Sequence, residues 1–179
     1  VAALKSLLEE DVTSLGDDAH ADLVGESRLR RFLLAAAWNV PEAADNFRRM
    51  LAWRAANDVE RVRRELKVGD LKEEPDLIND AFPHGVEFLS AGGNCPVFDA
   101  GTSRDGHWVH MEAIGLGDPK ALLQALSPED LMEYYIGYWE LRQRKLEALS
   151  RERGHLVKTL QVRDMTHFTV STLAGGEST

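Results

Sequence analysis

Apolar residues recur at helical intervals from the start of the chain. Leu4, Leu7 and Leu8, followed by Leu15, predict a short first helix. Leu29, Phe32, Leu33 and Ala36 repeat the spacing, Asn39 and Pro41 interrupt it, and Phe47, Met50, Leu51 and Trp53 resume it to about Asn57. A proline in the first turn of a helix loses no hydrogen bond, and Glu42 suits the positive end of the helix dipole. The interruption therefore predicts two helices meeting at Asn39. Val59 to Leu66 predicts a third, shorter segment, so the N-terminal third reads as a small helical bundle.

Beyond it the pattern changes. Pro75, Pro83, Gly85, Gly92, Gly93 and Pro96 punctuate short apolar pieces such as Cys95 to Phe98, which predict strands and turns. The clearest strand is Trp108 to Ile114. The turn residues Arg104-Asp105-Gly106 before it predict a hairpin with the Cys95 to Phe98 piece. Alternation puts Val109, Met111 and Ala113 on one face and Trp108, His110, Glu112 and Ile114 on the other. Ser127-Pro128-Glu129-Asp130 is a helix start, with a capping hydroxyl, a first-turn proline and two acids. The helix it opens runs to about Arg153. Its first half is apolar on several sides (Leu131, Met132, Tyr134, Tyr135, Ile136, Tyr138, Trp139) and predicts burial against a sheet, whereas Arg142 to Arg153 is charged and predicts exposure. Leu156 to Asp164 predicts a further strand, making a strand, helix, strand unit with parallel strands and a right-handed crossover. Strand content continues weakly through Phe168 to Leu173, and Gly175-Gly176 ends it.

Charge changes this picture in one place. Net charge is -9, which disfavours a general attraction to nucleic acid, yet Arg28 to Lys67 holds ten basic residues against five acidic ones. Solvated helix faces or a surface for anionic lipid headgroups are both consistent with that asymmetry. Cys95 is the single cysteine, so an internal disulfide and a cysteine-only metal cage are excluded. No apolar run approaches the roughly 18 residues needed to span a bilayer. Neither a basic start nor an apolar signal core follows Val1, so no secretory signal is expected and the compartment expected is the cytoplasm.

Most catalytic chemistry lacks its residues. There is no Gly-x-Ser-x-Gly elbow, and Cys95 precedes Pro96 without a helix start to activate it. His20, His84, His107, His110, His155 and His167 are scattered, and His107 and His110 fall on opposite faces of a strand, so no metal set converges in the sequence. Gly115-Leu116-Gly117-Asp118 reads either as two of the three glycines of a dinucleotide fingerprint or as the loop after a strand. No pair of carboxylates stands out for acid/base work. The mixed aromatic face Trp108, His110 and Ile114, covered by Tyr134 and Tyr138, reads as an ordinary core or as the wall of an apolar pocket.

Taken in order, several short motifs carry a resemblance. They are Leu29-Arg30-Arg31-Phe32-Leu33, Trp38-Asn39-Val40 with Pro41-Glu42-Ala43, Leu51-Ala52-Trp53-Arg54, Asp105-Gly106-His107-Trp108-Val109, Ser150-Arg151 with Gly154-His155-Leu156-Val157, and Val162-Arg163-Asp164-Met165 with Phe168 and Ser171. Across residues 28 to 173 this order resembles the CRAL-TRIO family of lipid-binding and phosphatidylinositol transfer proteins. His107 and Trp108 replace the Arg-Pro of the family's D-G-R-P-V strand start.

The resemblance implies an α/β fold: an N-terminal small helical bundle (residues 1–70), then an incomplete, largely parallel sheet with flanking helices (residues 71–179), the N-terminal half of the lipid-binding lobe. It implies a non-enzymatic protein without catalytic residues, metal or cofactor, which binds and transfers or presents a phosphoinositide-like lipid at a transient membrane surface. In phospholipid-transferring members the Arg after the module's Trp meets the headgroup, which assigns that part to Arg54; Ala55 stands where a second cation is common. Tyr138 and His110 fall on pocket-lining positions. Leu160 and Val162 fall where two small hydroxyl residues hold the phosphate of a choline lipid, so their side chains turn the expectation from phosphatidylcholine towards phosphoinositide or another hydrophobic ligand. The gate helix is expected beyond Thr179. Arg48, Arg49, Arg54, Arg61, Arg63 and Arg64 form the expected membrane-docking patch. A retinoid- or tocopherol-like ligand, or a protein-interaction scaffold with a degenerate pocket, are the alternatives.

Overall fold

Local capping chemistry sets the helix boundaries. In the computed structural model, which describes residues 1–66, 82–93 and 97–168, the amide of Glu42 donates to Asn39 Oδ1 at 3.2 Å and Pro41 occupies the first turn. One helix therefore stops at Ala35 and the next begins at Val40, with Ala37 and Trp38 taking positive φ in the tight turn between them. The expected turn at Pro75, the Cys95-Pro96 piece and the weak strand beyond Phe168 lie outside the described residues.

The chain divides into two compact units, Val1–Arg61 with Gln143–Leu156, and Val62–Arg142 with Val157–Thr179. The first is helical. It holds α1 (Ala2–Leu7), α2 (Glu9–Ser14), a 3-10 turn (Gly16–Asp18), α3 (Ala21–Val24), α4 (Glu26–Ala35), α5 (Val40–Ala56) and the start of α6 (Val59–Glu65). Leu4, Leu8, Leu29, Leu33, Ala36, Ala43, Ala44 and Phe47 form its core. The first predicted helix is in fact two, because the backbone bends at Leu8, and Leu7 is exposed while Leu4 and Leu8 are buried. The C-terminal part of the long helix also belongs to this unit. Its charged sequence predicts exposure, yet Glu147 and Ser150 are buried there, Ser150 Oγ donating to Leu146 O at 2.6 Å and accepting from Arg31 Nη2 at 3.2 Å. Burial pushes the Glu147 carboxyl up, against the pull of Arg151 and Arg31.

The second unit contains α7 (Gly85–Phe88), β1 (Val97–Thr102), β2 (Trp108–Glu112), a 3-10 turn (Ile114–Leu116), α8 (Pro119–Ala125), the first part of α9 (Pro128–Arg153) and β3 (Thr159–Arg163). The sheet order is β1-β2-β3. β1 pairs with β2 antiparallel, through a hairpin closed by Ser103 N–H to His107 O at 2.8 Å, and β2 pairs with β3 parallel. The fold is thus mixed α/β, as expected, but among the described residues its sheet is mixed where the sequence reading had it largely parallel. The hairpin supplies the antiparallel half.

Reciprocal bonds start α9: Asp130 N–H donates to Ser127 Oγ at 3.1 Å, and Ser127 N–H donates to Asp130 Oδ2 at 3.2 Å. Gly154, at φ 66°, follows its end in a backbone conformation that suits glycine. The expectation of burial for its first half needs correction. Tyr134, Ile136, Tyr138 and Leu141 are buried, whereas Met132, Tyr135 and Trp139, spaced along one face, are exposed.

The stretch Gly115 to Asp118, left open between fingerprint and loop, is a 3-10 turn leading into the cap of α8. Asp118 Oδ1 accepts from Ala121 N–H at 3.0 Å. A Cβ at Gly115 would run into the backbone carbonyl of Thr166, just past β3, so close chain approach accounts for that glycine.

Candidate functional site

Strict alternation along β2 and β3 separates two faces of different chemistry. Val109 pairs with Leu160 and Met111 with Val162 on one face, while Trp108, His110 and Glu112 pair with Thr159, Gln161 and Arg163 on the other.

The second face lies under α9. His110, fully buried, places Nε2 2.8 Å from Glu112 Oε1. The Tyr138 hydroxyl donates to the same oxygen at 3.1 Å, lies 3.3 Å from His110 Nε2 and accepts from Arg142 Nη1 at 2.8 Å. The Arg142 guanidinium stands 5.5 Å from the Trp108 ring centre and 5.2 Å from that of Tyr138, a distance at which the ring faces attract the cation. Arg163 Nε reaches Glu112 Oε2 at 3.3 Å.

Glu112 is the hub. Burial pushes its carboxyl up, but bonds from His110, Tyr138 and Gln161 outweigh that and hold it below the usual carboxylate range. Burial, with the Glu112 charge beside it, raises the Tyr138 phenol to about 12, although Arg142 opposes the shift. The tyrosine therefore acts as a neutral donor. Because the Glu112 value is lowered in the folded state, its stabilisation is complete above the ordinary carboxylate range and is lost as pH falls through the folded value. Glu112→Gln is expected to cost about 2 kcal/mol at pH 7 and to flatten the acid limb of a stability-against-pH curve below about pH 4, read by urea unfolding.

The opposite face is apolar and open. Met111 is 39% exposed, Leu160 52% and Val162 42%, with Val109 half-buried beside them. Sheet faces of this kind are ordinarily covered, since each large apolar side chain gains about 1.5–3 kcal/mol on full burial.

The five residues singled out by the resemblance therefore fall in three places. His110 and Tyr138 come together inside the polar network, beneath α9. Leu160 and Val162 come together on the open apolar face across the sheet from them. Arg54 belongs to the helical unit, where it is buried and donates to Glu60 Oε1 from Nε at 2.7 Å and Nη2 at 2.5 Å.

The expected basic patch is largely answered by acids of its own unit. Arg48 meets Asp11 at 3.0 Å and Arg61 meets Asp58 at 2.9 Å. Arg63, in the sheet-containing unit, is buried against Glu140 at 2.5 Å. An arginine count in sequence overstates the cationic surface, because partners far along the chain do not enter it. Arg142 falls in a stretch whose charge predicts exposure, yet it lies four positions after Tyr138, the spacing that stacks side chains on one helix face, and bonds its hydroxyl.

No protein-family model matches the chain, and no curated protein matches it. Among the described residues no helix is long and apolar enough to cross a membrane.

Proposed function

We propose that this chain binds a phosphoinositide-like lipid, in the manner of the CRAL-TRIO proteins whose ordered motifs it resembles, and carries or presents it at membranes without chemical turnover. One observation supports the reading above the others. A parallel strand pair presents Val109, Met111, Leu160 and Val162 as a contiguous apolar floor, while its reverse side lies under α9, where Tyr138 and His110 meet Glu112. A floor of this composition suits an acyl chain, at about 0.8 kcal/mol for each methylene removed from water. The departure of Leu160 and Val162 from small hydroxyl residues fits the same use: they offer hydrocarbon contact instead of phosphate bonds. The reading does not rest on Arg54, whose charge Glu60 answers in its own unit.

Gentle purification of the full chain from a eukaryotic host, followed by organic extraction and mass spectrometry, tests this directly, together with transfer of labelled phosphatidylinositol between vesicles. A phosphoinositide recovered near one per chain, with measurable transfer, is the expected result. A retinoid or tocopherol in its place would retain the carrier and replace the ligand. An empty protein that neither binds nor transfers phosphatidylinositol would overturn the reading.

A further inference from the structure

Asp18, His20 and Glu60 come together in the helical unit although more than three dozen positions separate the last from the first two. The 3-10 turn Gly16–Asp18 folds back so that the His20 amide donates to the Asp18 carbonyl at 2.8 Å, and His20 then stands just before α3 with no side-chain capping bond to make. Glu60 comes from the first turn of α6. One ligand atom from each residue lies within 4.8 Å of the other two, and His20 Nε2 is 3.6 Å from Glu60 Oε2.

We propose that Asp18, His20 and Glu60 bind a divalent transition-metal ion of the zinc class. An imidazole nitrogen with two carboxylate oxygens is a borderline donor set, which suits zinc better than calcium or magnesium with their preference for all-oxygen shells. Three ligands about 2 Å from a tetrahedral ion stand about 3.3 Å apart, close to the His20 to Glu60 separation, and the fourth position would go to water. The three residues are half-buried, which leaves an ion a path of approach.

Arg54 shapes the site without spoiling its charge. Its Nε and Nη2 both bond Glu60 Oε1, and Oε2 is the oxygen turned towards the imidazole. A ligand carboxylate anchored through its second oxygen is a common outer-shell arrangement around bound metals. Two carboxylates against one guanidinium still leave a net negative charge facing the ion. The inference is independent of the lipid reading.

The test is calorimetric titration of the full chain, stripped with chelator, with zinc chloride, alongside the absorbance spectrum of the cobalt(II) form. One saturable ion of micromolar or tighter affinity is expected, weakened at least about 10-fold in both His20→Ala and the nearly isosteric Asp18→Asn. Circular dichroism confirms that each variant is folded, and the cobalt spectrum should lack a thiolate charge-transfer band. No saturable binding by the parent chain would overturn the proposal. So would affinity unchanged in both folded variants, or a thiolate band placing Cys95 in the shell.

Discussion

Leu160→Glu combined with Val162→Glu is expected to weaken phosphatidylinositol binding by at least about 100-fold, or about 2.7 kcal/mol, in a vesicle-competition assay. Both side chains stand on the open face of β3, so the charges meet water in the free protein and hydrocarbon only when a lipid arrives. Carboxylates buried without partners lose far more than a hydrogen bond, and a bound acyl chain offers none. The thermal midpoint should change little by comparison, because strand propensity spans only about 1 kcal/mol and neither residue belongs to a closed core. Leu160→Thr with Val162→Thr keeps branched side chains suited to a strand and should give a smaller loss. Equal binding by the parent and the double glutamate variant would remove the apolar floor from the functional account.

Glu140→Ala is expected to cost about 3–5 kcal/mol of stability by urea unfolding. Arg63 and Glu140 are both buried, and their contact at 2.5 Å places opposite charges where water cannot screen them. Removing the acid takes a close counter-charge from a guanidinium in a poorly hydrated site. Replacing both residues by methionine removes charge and desolvation cost together, and should recover most of the loss. If the double variant proved as unstable as Glu140→Ala, packing of the long side chains and not their charges would be what matters at this contact.

The sequence was most informative where structure depends on neighbours in the chain. Asn39 with Pro41 and Glu42, and Ser127 with Pro128 and Asp130, mark helix starts because capping is local: the acceptor and the amide it satisfies lie within a few residues. Alternation from Trp108 to Glu112 likewise separates the sealed face from the open one, since successive strand residues must point opposite ways. Contacts made across the fold were not readable. Arg63 meets an acid 77 positions away and Glu112 is bonded from α9, so neither the quenching of the basic stretch nor the polar hub is visible in local composition. The same limit hid the meeting of Asp18 and His20 with Glu60. The bend at Leu8 left no breaker residue to mark it, and Tyr135 and Trp139 look like core residues until the helix is seen to turn them outward.

The hub around Glu112 also guards the alignment of the sheet. Because side chains alternate, sliding β3 along β2 by a single residue would bring Leu160 and Val162 beneath α9 and carry Gln161 and Arg163 to the opposite face. Such a slip would separate Glu112 from Gln161 and Arg163 and press hydrocarbon against a carboxylate. A slip of one residue in either direction puts both the charges and the greasy side chains on the wrong side of the sheet.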